Sequence, residues 1–161
     1  MSLYNLTNIT PIKKLSQKSI RRISIAASIA EESDFTSSKR LGAYLEYKGS
    51  RFNASNNRST RFGNISYISL HAEVNVLLKA LRSREKNANL KTKLKLPPST
   101  VYVVRIMKKA ENLPDHRVHY FGISKPCINC QKHLYKHNVI KIYYTDIIDN
   151  EEVLCEMRIT I

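Results

Sequence analysis

Leu70-His71-Ala72-Glu73-Val74-Asn75-Val76-Leu77-Leu78-Lys79-Ala80-Leu81 carries two signals at once. Val74, Leu77, Leu78 and Leu81 recur at i, i+3, i+4 and i+7, the stripe of a helix lying on a core. Ser69 can cap that helix, which is predicted from about Leu70 to Arg84. His71 and Glu73 then fall in its first turn, where unpaired N–H groups and the helix dipole favour negative charge.

A second cluster lies far downstream, Ser124-Lys125-Pro126-Cys127-Ile128-Asn129-Cys130. Cys127, Cys130 and Leu134 share one face of a second predicted helix, and Asn138 is a left-handed stop after it. One imidazole and two thiolates form a three-ligand zinc set whose fourth position stays open, as in a catalytic site. Glu73, two residues past His71, is free of the metal and placed to move protons. Either half alone has a duller meaning: a His-x-Glu helix start is often only a cap, and a Cys-x-x-Cys is often a structural half-site or a redox pair.

The rest of the chain bounds the answer. Its 161 residues predict one domain spanning 1–161. No run approaches the roughly 20 apolar residues of a membrane span, and Met1 to Lys14 lacks the apolar core of a secretory signal, so no membrane partner is expected. Three cysteines make a poor disulfide framework, and thiol ligands predict the cytoplasm or another reducing intracellular compartment. Cys155 reads as a buried small hydrophobe. A net charge of +14 suits polyanionic partners, nucleic acid among them, without choosing one.

Thr10-Pro11 predicts a helix start, and Ile12, Leu15, Ile23, Ala26, Ala27 and Ala30 extend an amphipathic helix over about 11–32. Leu41 to Lys48 and Arg51 to Asn57, joined at Gly49-Ser50, predict a hairpin. Val101 to Met107 and Val139 to Tyr144 are near-continuous apolar runs, expected of central strands covered on both faces. Cys155, Met157, Ile159 and Ile161 alternate with polar residues, which predicts a last strand buried on one face, at an edge. Asp146 to Glu151 is too short for a parallel crossover, so the final pair is expected to be antiparallel. Polar, largely basic stretches at about 85–98 and 108–117 read as insertions. Tyr120 and Phe121 can stack a base or fill the core at a strand end, and His133 and His137, one helical turn apart, receive no role.

With the order His71-Ala72-Glu73, then Pro126-Cys127-Ile128-Asn129-Cys130, the chain resembles the cytidine and deoxycytidylate deaminase superfamily over about residues 12–161. That resemblance implies an α/β fold of three layers, with a mixed five-stranded sheet and, here, an antiparallel C-terminal hairpin. It implies one Zn²⁺ per chain held by His71, Cys127 and Cys130, with Glu73 as catalytic acid and base. It also implies Asn56 as a substrate contact, with Asn53 and Asn57 as alternatives, and the Ala72 amide as a donor to the base carbonyl. The 56-residue interval between His71 and Cys127 exceeds the family's usual spacing.

The expected activity is hydrolytic deamination of a cytosine nucleoside or nucleotide to its uracil form, with a small-molecule substrate and a homo-oligomer or larger assembly. The antiparallel ending is similar to enzymes of free cytidine, whereas His71 in place of a cysteine is similar to deoxycytidylate and editing enzymes. Two alternatives stay open. One is an editing deaminase on single-stranded RNA or DNA; the other is a non-catalytic deaminase-fold subunit of a viral or nucleoprotein particle, which would make it virion-associated.

Overall fold

The computed structural model describes residues 2–33, 40–56, 60–62, 65–67, 71–87, 96–107 and 120–160. Their elements are, in chain order, β1 (Tyr4–Pro11), α1 (Gln17–Ala30), β2 (Arg40–Tyr47), β3 (Ser50–Ser55), β4 (Thr60–Phe62), β5 (Ile65–Tyr67), α2 (Ala72–Asn87), β6 (Ser99–Met107), β7 (Tyr120–Gly122), α3 (Ile128–Lys136), β8 (Val139–Ile148) and β9 (Glu151–Ile159). The fold is α/β, built on an open, mixed sheet of seven strands in the order β1-β9-β8-β6-β2-β3, with β7 also pairing with β6. β4 and β5 form a separate small hairpin.

Among the described residues only β6 and β8 run parallel, at the centre of the sheet, with α3 in the connection between them. β2 and β3 form the expected antiparallel hairpin, turning at Gly49, whose φ of 74° lies in the left-handed region that glycine accepts without strain. β8 and β9 form the expected antiparallel C-terminal hairpin.

The alternation of the central strands sorts the core onto two faces. Leu45, Val101, Ile142 and Met157 stand in register across β2, β6, β8 and β9, all buried, and pack with Val76, Leu77 and Ala80 of α2 and Leu134 of α3. Tyr44, Tyr102, Val104 and Ile106 point the other way and pack against Ile23, Ala26, Ala27 and Ala30 of α1. The small side chains of α1 let it approach closely. A Cβ at Gly42 of β2 would stand 1.9 Å from the Ala26 carbonyl oxygen, so only glycine fits there.

Three expectations need correction. The chain opens with a strand rather than with a helix over 11–32: β1 pairs along β9, a 3-10 turn covers Ile12–Lys14, and α1 starts only at Gln17. Ser16 is the cap, its Oγ accepting the Ser19 amide at 3.2 Å. β1 escapes detection because Leu6 and Ile9 are exposed. It is held by backbone pairing and by Tyr4, which is buried and donates its hydroxyl to the Val139 carbonyl at 2.7 Å.

That pairing removes β9 from the edge, and Glu156, read from the alternation as outward and solvated, is buried. With β1 on β9 and the short β7 on β6, the sheet has seven strands rather than five. The first of the two basic stretches begins as the last turn of α2, while residues 88–95 and 108–117, with Ser69, lie outside the described residues.

Candidate metal centre

Two helix starts meet above the parallel pair. His71 immediately precedes α2, its carbonyl accepting the Asn75 amide at 3.0 Å, and Cys127 caps α3, its carbonyl accepting the Gln131 amide at 2.9 Å. The Gln131 side-chain amide donates back to the Pro126 carbonyl at 2.9 Å, closing the turn that carries Cys127. Both helix starts thus lie at the same region, and the positive end of a helix favours thiolate and other anions.

The four side chains predicted to form the site are brought together. His71 Nδ1 lies 3.1 Å from Cys130 Sγ and 3.8 Å from Cys127 Sγ, and the two sulfurs are 3.4 Å apart. All three ligand atoms lie within 4.8 Å of one another, a cluster that could hold a metal ion. Cys127 and Cys130 are free thiols. Cys130 is buried against Val74 and Leu78, while His71 and Cys127 are exposed, so the cluster opens outward on one side. Burial pushes the Cys130 thiol well above its ordinary pKa, with Glu73 and Cys127 adding to the shift. A cation held at this point would reverse that balance by binding the thiolate.

Glu73 stands beside the cluster without being part of it. Its Oε1 is 3.9 Å from His71 Nδ1, the residue is 2 % exposed, and Oε2 has no hydrogen-bond partner among the described residues. Desolvation raises the pKa of its carboxyl, against the opposing pull of its own backbone, Cys130 and His71.

Ala72 is fully buried as the first residue of α2. Asn56 immediately follows β3, buried, its amide donating to the Leu41 carbonyl at 3.1 Å and its Oδ1 accepting the Leu41 amide at 2.9 Å. Its side-chain oxygen is thus engaged in extending the β2–β3 ladder. Asn53 lies further back on β3, its carbonyl accepting from Lys79 Nζ at 3.0 Å, and Asn57 lies outside the described residues. Tyr120 and Phe121 are core residues in β7. His137 at the end of α3 directs Nδ1 to the His133 carbonyl at 2.9 Å, while His116 and His119 lie outside the described residues.

Sequence reasoning passed over the groups that hold the cysteine loop. β8 pairs with β6 up to Val103 and β7 pairs beyond it, so the sheet forks. Ser124 and Thr145, both buried, fill the fork. Ser124 Oγ donates to the Val103 carbonyl at 2.7 Å and accepts the Thr145 amide at 2.8 Å, while Thr145 Oγ1 donates to the Gly122 carbonyl at 2.8 Å. Across the site, Asn75 Nδ2 donates to the Ser55 carbonyl at 2.8 Å and pins the start of α2 to the end of β3. Hydroxyls and amides of this kind leave no periodic trace in a sequence. Only the closeness of Ser124 to Cys127 hinted at a role.

No family model matches this chain, and no curated protein or solved structure matches it significantly. Among the described residues, no helix is long and apolar enough to cross a membrane.

Proposed function

We propose that the protein is a zinc-dependent hydrolytic deaminase with a cytidine-deaminase-like fold, converting a cytosine nucleoside or nucleotide to its uracil form with release of ammonia. One observation carries this reading: His71, Cys127 and Cys130 converge from two helix starts with the buried, uncoordinated Glu73 beside them. Zinc fits the donor set. Tetrahedral bonds of about 2.3 Å to sulfur and about 2.0 Å to nitrogen imply separations of about 3.8 Å between sulfurs and about 3.5 Å from nitrogen to sulfur. The nitrogen–sulfur distances here, 3.1 and 3.8 Å, straddle the second value, and the sulfurs, 3.4 Å apart, stand somewhat closer than the first.

Bound to His71, Cys127 and Cys130, one zinc per chain supplies the Lewis acidity that makes water nucleophilic near neutral pH. Glu73 takes a proton from the attacking water and delivers it to the ring nitrogen next to the amino-bearing carbon. It then carries the second proton to the departing amine, so that water and a cytosine leave as ammonia and a uracil. Its burial, which raises its affinity for a proton, suits a group that holds one between two transfers. The Ala72 amide, at the start of α2, serves the base carbonyl, and Asn56, its Oδ1 held by the Leu41 amide, serves the sugar or base edge through its side-chain amide nitrogen.

Free thiols among the ligands fit a reducing compartment. The net charge of +14 favours a second reading, editing of single-stranded RNA or DNA.

An ammonia-release screen separates the readings. It covers cytidine, deoxycytidine, their monophosphates, adenosine and short single strands, with metal content measured alongside. Turnover of a free cytosine compound by protein holding about one zinc per chain is the expected result. Turnover of oligonucleotides alone transfers the assignment to editing. A zinc-loaded protein with no turnover of any candidate removes the enzymatic reading in favour of a binding or assembly role.

A further inference from the structure

The face of the sheet that carries α1 has a second cluster of charged and aromatic side chains, on the opposite side from the metal ligands. Helix α1 lies over β2, β3 and β6, and among the described residues it leaves part of β8 and β9 uncovered beside it. Strand register places two rows there. In the first, Arg51, Glu46, Thr100, Lys141, Arg158 and Asn5 stand side by side on β3, β2, β6, β8, β9 and β1. In the second, Tyr44, Tyr102 and Tyr143 adjoin Glu156.

The rings of Tyr102 and Tyr143 stack with centroids 4.5 Å apart, and Lys141 Nζ lies 5.8 Å from the Tyr143 ring. Both acids in the rows are already engaged. Glu46 pairs with Arg22 at 2.7 Å, and Glu156 with Arg158 at 2.5 Å and Lys141 at 4.0 Å. The Arg158 side chain is 57 % exposed and that of Lys141 26 % exposed. At the far end, a cleft of about 360 Å³ is lined by Arg22, Glu46, Lys48, Arg51, Pro98 and Thr100.

We propose that this face is a docking surface for single-stranded nucleic acid, separate from the metal centre. From Arg51 on β3 to Arg158 on β9 the row takes four interstrand steps of about 4.8 Å, about 19 Å in all, near the scale of the shortest single-strand sites, about four nucleotides. The row offers guanidinium and ammonium groups for phosphates, and the partly buried Tyr143, backed by Tyr102, offers the exposed part of its ring for a base. Cations flanking a stacking platform hold a single strand without reading its sequence. The excess of cations over acids in the cluster has the same sign as the net charge of the chain, +14. Docking requires no chemistry at the metal centre, so it stands or falls apart from the proposed deamination.

Binding of a fluorescein-labelled 12-nucleotide dT strand to the full chain, followed by anisotropy over a salt series, tests the proposal. The double variant Lys141→Gln/Arg158→Gln should bind about tenfold more weakly and lower the salt slope by about 1.4, the loss of two phosphate contacts. Lys132→Gln/Lys136→Gln removes the same charge from exposed positions of α3 and should leave binding unchanged. Glu156→Gln should tighten binding several-fold by releasing Arg158 and Lys141. Tyr143→Leu should weaken binding with the salt slope unchanged. Equal losses from the two lysine-containing pairs would show that total charge alone matters, and would overturn the proposal. So would a Glu156→Gln protein of unchanged affinity, an arm that stays decisive if the double variant fails to fold.

Discussion

Glu73 and His71 belong to the same helix start, yet the structure gives them opposite surroundings. The His71 side chain is 51 % exposed at the mouth of the cluster, and that of Glu73, 3.9 Å away, is 3 % exposed beneath it. The imidazole is therefore open to an ion arriving from solvent, while the acid is held where its charge is costly and its proton affinity is raised.

Loss of one cysteine should separate metal binding from packing. Cys127→Ala removes an exposed ligand, so zinc and the stability coupled to it should go, while the metal-free variant unfolds much as the metal-free parent does. Cys130→Ser places a hydroxyl against Val74 and Leu78 and should cost a further ~1–3 kcal/mol even without metal. Metal content and urea unfolding of both variants, with and without chelator, check this.

Glu73→Gln should retain zinc and lose ammonia release by at least about a hundredfold, the contribution of a general acid–base. In metal-free protein it should also raise stability at neutral pH, by ~1–3 kcal/mol, because a desolvated buried charge is removed. The sign follows from the raised pKa. The protonated parent carries its full stability below the ordinary value of 4.5, and loses it as the pH climbs through the higher value in the fold. The stability gap between variant and parent should therefore open as the pH rises above about 4.5, and a gap that narrows instead would contradict the burial of this carboxyl.

Ser124→Ala should weaken zinc affinity about tenfold although Ser124 touches no ligand. Its hydroxyl joins Val103 to Thr145 in the fork below the cysteine loop, and removing it leaves buried partners unpaired at a cost of ~1–3 kcal/mol. Competition with a zinc chelator measures the affinity.

Gly42→Ala should destabilise the fold by about 3 kcal/mol or prevent folding, since the new methyl meets backbone atoms of Ala26 and Ala30 and neither can rotate away. Thermal unfolding of the variant reads this directly.

Deleting residues 1–11 should turn β9 into a bare edge and remove the buried Tyr4 ring. Concentration-dependent self-association by light scattering is the expected outcome, as for any long unpaired strand.

Much of this was legible in one dimension because two periodicities are strong. The stripe on Val74, Leu77, Leu78 and Leu81 located α2 to within two or three residues at each end, and the apolar runs at 101–107 and 139–144 located the central parallel pair. Asn138 occupies the left-handed conformation expected of a helix stop, with φ of 68°. β1 was missed because its two large apolar residues face solvent and its partner lies about 150 residues away along the chain. The burial of Glu156 was missed for a related reason: strict alternation reports which side chains share a face, not what covers that face.

By itself the chain determined which residues can ligate a metal, that they begin two helices, and that its last two strands must turn back on each other. Those are local matters, governed by side-chain chemistry, helix-start geometry and the reach of a short connection. Only the tertiary structure decided that His71, Cys127 and Cys130 come within bonding range of one ion, that Glu73 is shut away from water beside them, and that Ser124 and Thr145 brace the loop. Convergence of that kind depends on sheet order and on close packing between distant segments, which no stretch of sequence contains.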